Sequence, residues 1–201
     1  GSVRSEQFGA AGDVPVPGDF DADGFADIAV FRPSTGTWWL RNSSNQQVIG
    51  AQFGQNGDIP IAGDFDADAK RDIAVFRPSN SVWYVLRSSD GQASVSQFGT
   101  AGDIPLSGDF NGDGRADFAV FRPSNGIWYI ARPTGVPSQN FDATSFGITT
   151  DKPVPADYDG DGKTDIAVFR DGTWWMIRSS TGQVASEQFG LPTDKPIIAA
   201  Q

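Results

Sequence analysis

Residues 108–120 read Gly108-Asp109-Phe110-Asn111-Gly112-Asp113-Gly114-Arg115-Ala116-Asp117-Phe118-Ala119-Val120. The acidic half follows the pattern D-x-[D/N]-x-D-x-x-x-D, which also begins at Asp19, Asp64 and Asp157, each time before an apolar run such as Ile28-Ala29-Val30-Phe31. Carboxylates at alternate positions repel one another, so a loop built this way calls for a hard cation among its oxygens. Calcium accepts about six to eight oxygen ligands and is the ion expected here.

The charge supports this reading. Fifteen of the 25 acidic residues lie in the four loops, leaving 10 acids against 15 Lys and Arg elsewhere. Without the loops the formal charge of −10 would be +5, and four calcium ions would bring the chain to −2. The acidity therefore belongs to metal-site chemistry, and no basic stripe points to nucleic acid. No apolar stretch approaches the ~20 residues of a membrane helix, so membrane insertion is not expected. Gly1-Ser2 reads as a tag remnant. The absence of cysteine excludes a disulfide framework, and loops that need abundant calcium favour an extracellular or cell-surface setting for a secreted, bacterial protein.

The loops recur at 45, 45 and 48 residues, and Phe-Gly pairs at Phe8, Phe53, Phe98, Phe146 and Phe189 keep the same beat. Pro133 to Ser145 lengthens the third interval, and Arg170-Asp171-Gly172 shortens a turn in the fourth. A period of this length with short strands specifies an all-β propeller. The expected division is one domain of four four-stranded blades, at about 10–54, 55–99, 100–147 and 148–190. Residues 1–9 read as strand D of a preceding or closing blade, and 191–201 as a partial next strand.

Within a repeat, strand A (Asp58 to Gly63 and equivalents) carries prolines that suit an edge lining a central channel. The metal loop lies between A and B. Strand B, as in Ile73-Ala74-Val75-Phe76, is apolar throughout and is expected to be covered on both faces. Strand C carries Trp38-Trp39, Trp83-Tyr84, Trp128-Tyr129 and Trp174-Trp175, each pair sending one ring to each face. Strand D is polar and outermost. Arg32, Arg77, Arg122 and Arg170 close strand B at the end where Asp13, Asp58, Asp103 and Asp151 precede strand A, so a set of Arg-Asp pairs tying the connections is expected there. A ligand-binding arginine ring is the alternative.

The stretch at 108–120 resembles the FG-GAP repeat of integrin alpha-chain propellers and the related bacterial repeats known as VCBS, four times over nearly the whole chain. The resemblance implies calcium ligands at loop positions one, three, five and nine, with the carbonyl of position seven. These are Asp19, Asp21, Asp23, Phe25 and Asp27 in the first loop. They are Asp64, Asp66, Asp68, Lys70 and Asp72 in the second, and Asp109, Asn111, Asp113, Arg115 and Asp117 in the third. The fourth has Asp157, Asp159, Asp161, Lys163 and Asp165. About four calcium ions are expected, one per repeat. Ala69 replaces the position-six glycine of the second loop, where a left-handed backbone costs alanine about 1 kcal/mol, so that site is expected to be weakest. An EF-hand is excluded by Val30, Val75, Val120 and Val168 at position twelve and by a strand where a helix should follow. In the integrin family the ligand face lies opposite the calcium loops, which here holds Gln55-Asn56 and Ser79-Asn80.

A binding module for an extracellular protein or glycan is the leading functional reading, as part of a larger adhesive protein. A purely structural calcium-stabilised spacer is the alternative, and a two-carboxylate glycosidase is disfavoured. With no His and no Cys, histidine triads and thiol nucleophiles are excluded and a non-catalytic role is expected. The ends leave closure open: four blades with spare strands, an eight-blade ring of two chains, or part of a larger propeller. The N-terminus reads as cut, whereas Ala200, where a fifth loop would begin, reads as a natural finish. Open blade edges favour self-association.

Overall fold

The computed structural model describes residues 7–132 and 140–196. The described residues form four four-stranded antiparallel sheets, arranged as the blades of a four-blade β-propeller, with no helix. Blade one contains β1 (Val14–Pro15), β2 (Ile28–Arg32), β3 (Thr37–Arg41) and β4 (Val48–Gln52). Blade two contains β5 (Ile59–Gly63), β6 (Asp72–Arg77), β7 (Val82–Leu86) and β8 (Ala93–Gln97). Blade three contains β9 (Ile104–Gly108), β10 (Asp117–Arg122), β11 (Ile127–Ala131) and β12 (Phe141–Ser145). Blade four contains β13 (Lys152–Pro153), β14 (Ile166–Arg170), β15 (Thr173–Ile177) and β16 (Val184–Gln188). The strand expected at Ser5-Glu6-Gln7-Phe8-Gly9 falls partly outside the described residues, as does the one ending at Ala199-Ala200-Gln201.

Strand A is shorter in two blades than the repeat suggested. It has five residues in β5 and β9 but two in β1 and β13, followed by single bridges at Gly18↔Asp27 and Ala156↔Asp165. The break falls at Pro17 and Pro155, where the longer strands have Ala62 and Ser107. The intervening Val16 and Val154 still donate to Ala29 and Ala167.

Register aligns one aromatic pair in every blade: Phe31↔Trp38, Phe76↔Trp83, Phe121↔Trp128 and Phe169↔Trp174. The ring centroids lie 5.5, 5.5, 5.6 and 5.4 Å apart. Each tryptophan donates its indole N–H to the carbonyl of Phe53, Phe98, Phe146 or Phe189, so the Phe-Gly pair anchors strand C to the end of strand D. The turn between B and C presses on that junction; a Cβ at Gly36 would overlap the Gly54 carbonyl.

Packing runs from blade to blade. Trp38 and Phe31 of blade one cluster with Ile73, Val75, Tyr84 and Leu86 of blade two. Trp83 and Phe76 meet Val120, Phe118, Tyr129 and Ala131 of blade three, and Trp128 and Phe121 meet Val168, Ile166 and Trp175 of blade four. At the inner rim, Arg71, Ala116 and Thr164 donate their backbone N–H to the carbonyls of Asp19, Asp64 and Asp109 in the preceding loop.

The expected arginine-aspartate pairs form in all four blades. Arg32–Asp13, Arg77–Asp58, Arg122–Asp103 and Arg170–Asp151 are each two-pronged through Nε and Nη2. Each pair lies within one repeat and joins the B–C turn to the D–A connection. The same aspartates accept N–H groups of Ala10, Gln55, Thr100 and Ile148. The guanidinium holds the Asp13 carboxyl below its ordinary range, and Arg77 and Arg122 also lie over the rings of Tyr84 and Tyr129.

Candidate metal centres

Each loop is shaped by its first aspartate. Asp19, Asp64, Asp109 and Asp157 accept the position-four N–H through Oδ1 and the position-six N–H through Oδ2. These bonds hold the Asp157 carboxyl below its ordinary range, the Gly162 N–H first among them. Wrapping the chain around one carboxylate forces positive φ at positions four and six. Ala69 adopts φ +69° as the sequence implied, and Ala22 and Ala67 do the same at position four with +62° and +64°. The second loop thus carries two alanines in the left-handed region, the first loop one, and the third and fourth only glycines.

The position-nine aspartates are buried; Asp72 and Asp117 begin strand B, and Asp27 and Asp165 immediately precede it. Each accepts the position-two N–H, from Phe20, Phe65, Phe110 or Tyr158. Asp27, Asp72 and Asp165 also accept the backbone N–H of Ser43, Ser88 and Ser179, which tie the C–D turn to the metal loop. Burial pushes the Asp72 carboxyl up. It pushes Asp117 up to about 6, against the Phe110 N–H and with the nearby charges of Asp113 and Asp109 adding to the rise.

Positions one, three and nine converge in three loops. Carboxylate oxygens of Asp19, Asp21 and Asp27, of Asp64, Asp66 and Asp72, and of Asp157, Asp159 and Asp165 lie within 4.8 Å of one another, and each trio could hold a metal ion. The buried Oδ1 atoms of Asp66 and Asp159 have no hydrogen-bond partner, a costly arrangement unless a cation completes it. The carbonyls of Phe25, Lys70, Arg115 and Lys163 accept no hydrogen bond among the described residues, which leaves them available as the position-seven ligands.

Position five stands apart from these trios. Asp23, Asp68 and Asp161 accept the position-seven N–H through Oδ1 and a hydroxyl of Ser43, Ser88 or Ser179 through Oδ2. The neighbouring Ser44, Ser89 and Ser180 donate to the position-three aspartates. These serine pairs escaped the sequence reading. Their signal is the recurring Ser-Ser two residues after strand C, legible only once the C–D turn is placed beside the A–B loop.

The third loop differs. Asn111 turns its amide nitrogen toward Asp117, 2.9 and 3.2 Å from the two carboxylate oxygens, so a neutral donor partly satisfies the carboxylate that a cation would otherwise face. All four loops border one central cavity of about 470 Å³, which Arg71, Arg115 and Lys163 also line. Burial holds the Arg71 guanidinium below its ordinary range, opposed by the charges of Asp64 and Asp19.

Curated proteins offer no match to the sequence. Among solved structures, a catalytically inactive virginiamycin B lyase from Staphylococcus aureus with quinupristin is similar at 12% identity, with a TM-score of 0.57 over 96% of this chain and 61% of that one. BBS1N in complex with ARL6DN is similar at 13% identity, with a TM-score of 0.53 over 93% of this chain and 56% of that one. Such likeness concerns the fold, and the chain spans less than two thirds of either structure. The model of the FG-GAP-like repeat matches residues 19–75 and 109–168. With more than half its length so matched, and with the acidic loop standing between strands A and B of every blade, the chain belongs to the FG-GAP-like repeat family.

Proposed function

We propose that this chain is a non-catalytic calcium-binding propeller module that recognises a protein or glycan outside the cell, as part of a larger secreted or surface protein. The observation that carries calcium is the convergence of three carboxylates in loops one, two and four, with a buried, unpartnered oxygen on Asp66 and Asp159. Positions one, three and nine supply carboxylate oxygens, and the position-seven carbonyl adds another. An all-oxygen donor set in a flexible loop suits calcium above the smaller, more strictly octahedral magnesium.

Several features support a non-catalytic role. The repeat's carboxylates are held in metal loops or in Arg-Asp pairs. The similar lyase is catalytically inactive in a form whose histidine is replaced by alanine, and this chain has no histidine. For recognition, the end opposite the loops offers a cavity of about 540 Å³ lined by Asp13, Arg32, Pro33, Ser34 and Asn56. The serine bridges from the C–D turns to the loops favour a second reading, in which calcium serves only to brace the blades.

Isothermal titration with calcium and with magnesium tests the metal, and a glycan array with and without chelator tests recognition. Calcium-dependent heat with a raised melting temperature is expected. Absence of both would overturn calcium binding, whereas calcium binding with no ligand on arrays or in extracellular-protein pull-downs would favour the brace.

A further inference from the structure

Three loops of the repeat hold a short side chain at position eight, and the second does not. Ala26, Ala116 and Thr164 stand there in loops one, three and four, and Arg71 in loop two. Packing explains the short side chains, because this position rests on the preceding blade. A Cβ on Gly63 would lie 2.9 Å from the Ala116 Cβ, and one on Gly108 would lie 2.7 Å from Thr164 Cγ2. Arg71 meets the same requirement with its stem, since a Cβ on Gly18 would lie 3.2 Å from its Cγ, and its backbone N–H is fixed 2.8 Å from the Asp19 carbonyl. A position that packing alone would fill with alanine thus brings a guanidinium to the central cavity.

Two further cations reach the same place. Arg115 and Lys163, at position seven of loops three and four, also line the cavity. The Lys163 stem lies across loop three, where a Cβ on Gly112 would be 2.7 Å from its Cε. At the other end of the blades Arg32, Arg77, Arg122 and Arg170 are each gripped by an aspartate. Among the described residues, by contrast, the side chains of Arg71, Arg115 and Lys163 form no ion pair and donate no hydrogen bond. Arg71 feels the charges of Asp64 and Asp19 without pairing with either. The carboxylates that line the cavity are already engaged, since both oxygens of Asp19, Asp64, Asp109 and Asp157 accept backbone N–H groups of their own loops.

We infer that the central cavity is a site for an oxyanion, a carboxylate or sulfate group, and that calcium in the loops promotes its binding. The inference rests on the reading of the loops as calcium sites. A guanidinium offers five donors in a planar fork that matches paired oxygens, and an ammonium offers three more. At about 470 Å³ the cavity admits such a group together with a small organic body. With the loops empty, four carboxylates face three cations there, and an added anion is repelled. A calcium ion beside each carboxylate offsets that repulsion, so each ligand favours the other's binding to the same degree.

Calorimetric titration with sodium sulfate and with sodium glucuronate, at fixed ionic strength, tests the site on calcium-saturated and on chelated protein, after subtraction of blanks for each anion with calcium alone. Binding of either anion in calcium is expected, weakened about ten-fold or more in chelator. Arg71→Gln and, separately, Arg115→Gln should each weaken it by a similar factor, whereas Arg178→Gln, exposed just beyond β15, leaves it unchanged. Calcium heat with no anion heat would overturn this inference alone, and absence of calcium heat would overturn the reading of the loops and the inference with it. Anion binding that is equal in chelator, or indifferent to both cavity variants, would also overturn it. Tighter calcium binding by Arg71→Gln with no anion heat in the parent protein would make Arg71 a counter-charge to the loops and nothing more.

Discussion

Arg77 and Asp58 offer a decisive test of how the non-metal end of a blade is held. Nε–Oδ1 and Nη2–Oδ2 are 2.8 and 2.9 Å, and the Asp58 side chain is wholly inaccessible while that of Arg77 is 21% exposed. Arg77→Ala leaves a buried carboxylate with only the Gln55 N–H, and uncompensated buried charges of this kind cost about 3 kcal/mol or more. Loss of the guanidinium over Tyr84, 4.3 Å from the ring centroid, adds about 0.5 kcal/mol. Asp58→Ala is cheaper at about 2 kcal/mol, because Arg77 can turn to solvent and the loss is confined to its hydrogen bonds and the Gln55 turn. The double variant removes the stranded charge but also loses the Tyr84 contact, so it should cost about 2.5 kcal/mol and give a coupling of roughly 3 kcal/mol. Urea unfolding in saturating calcium, followed by tryptophan fluorescence, measures all three. Equal costs for the two single variants, or additivity in the double, would refute the reasoning, since either would mean that Asp58 is not desolvated by the fold.

Other residues give independent checks. Ala69→Gly relieves a φ of +69° and is expected to tighten calcium binding or stabilise the loop by about 1 kcal/mol, read by calorimetric titration and melting. Unchanged values for both would remove the strain argument. Asn111→Asp replaces the amide facing Asp117 with the carboxylate that completes the trio at positions one, three and nine, so calcium stoichiometry or third-site affinity should rise while the chelated protein becomes less stable. In chelator, Asp117 has a folded pKa of about 6 against an ordinary value of 3.8. The folded state therefore binds the proton more tightly, and this group's contribution is present at low pH and lost as pH rises through about 6. Asp117→Asn should remove that portion of the pH dependence in chemical unfolding. Trp83→Phe strands the Phe98 carbonyl and opens space in a sealed inter-blade cluster, so about 2–3 kcal/mol is expected, against clearly less for Trp174→Phe at its partly exposed position.

The features legible in the sequence are those fixed by local chain geometry and by strict period. Alternating carboxylates named the loops, the 45-residue beat named the blades, and the equal offset of Arg77 and Asp58 in every repeat placed their pairing. What escaped depends on contacts between turns far apart in sequence. Ser43 and Ser44 are ordinary turn residues until the C–D turn is brought against Asp23 and Asp21, twenty and twenty-three positions away. The outward set of the position-five carboxylate has the same origin, since the serine hydroxyl competes for it. Pro17 and Pro155 were visible, but the interruption of strand A beside them showed only by comparison with Ala62 and Ser107, which stand at those places within a continuous ladder in the other blades. Ala22 and Ala67 show a further limit, because the need for positive φ at position four appears only when the chain is seen closing around Asp19 and Asp64.

The two ends of each blade are clamped by different chemistry, and this separates what calcium must do from what the fold does without it. At one end a guanidinium-carboxylate pair and an indole N–H bond to the Phe-Gly carbonyl close the B–C turn onto strand D. Neither involves a metal ligand, and both adjoin the inter-blade clusters that contain the fully buried tryptophans. At the other end the strands are joined through carboxylates whose mutual repulsion only a cation relieves, with serine hydroxyls spanning the remaining distance. Withdrawing calcium therefore loads one end of every blade while the apolar contacts between blades remain. Chelation should loosen the A–B loops and C–D turns, seen as faster amide exchange at Ser88 and Phe65, before it changes the emission of Trp83 or Trp128. Simultaneous loss of both signals would place the cation within the cooperative core, and the independence of the two clamps would be wrong.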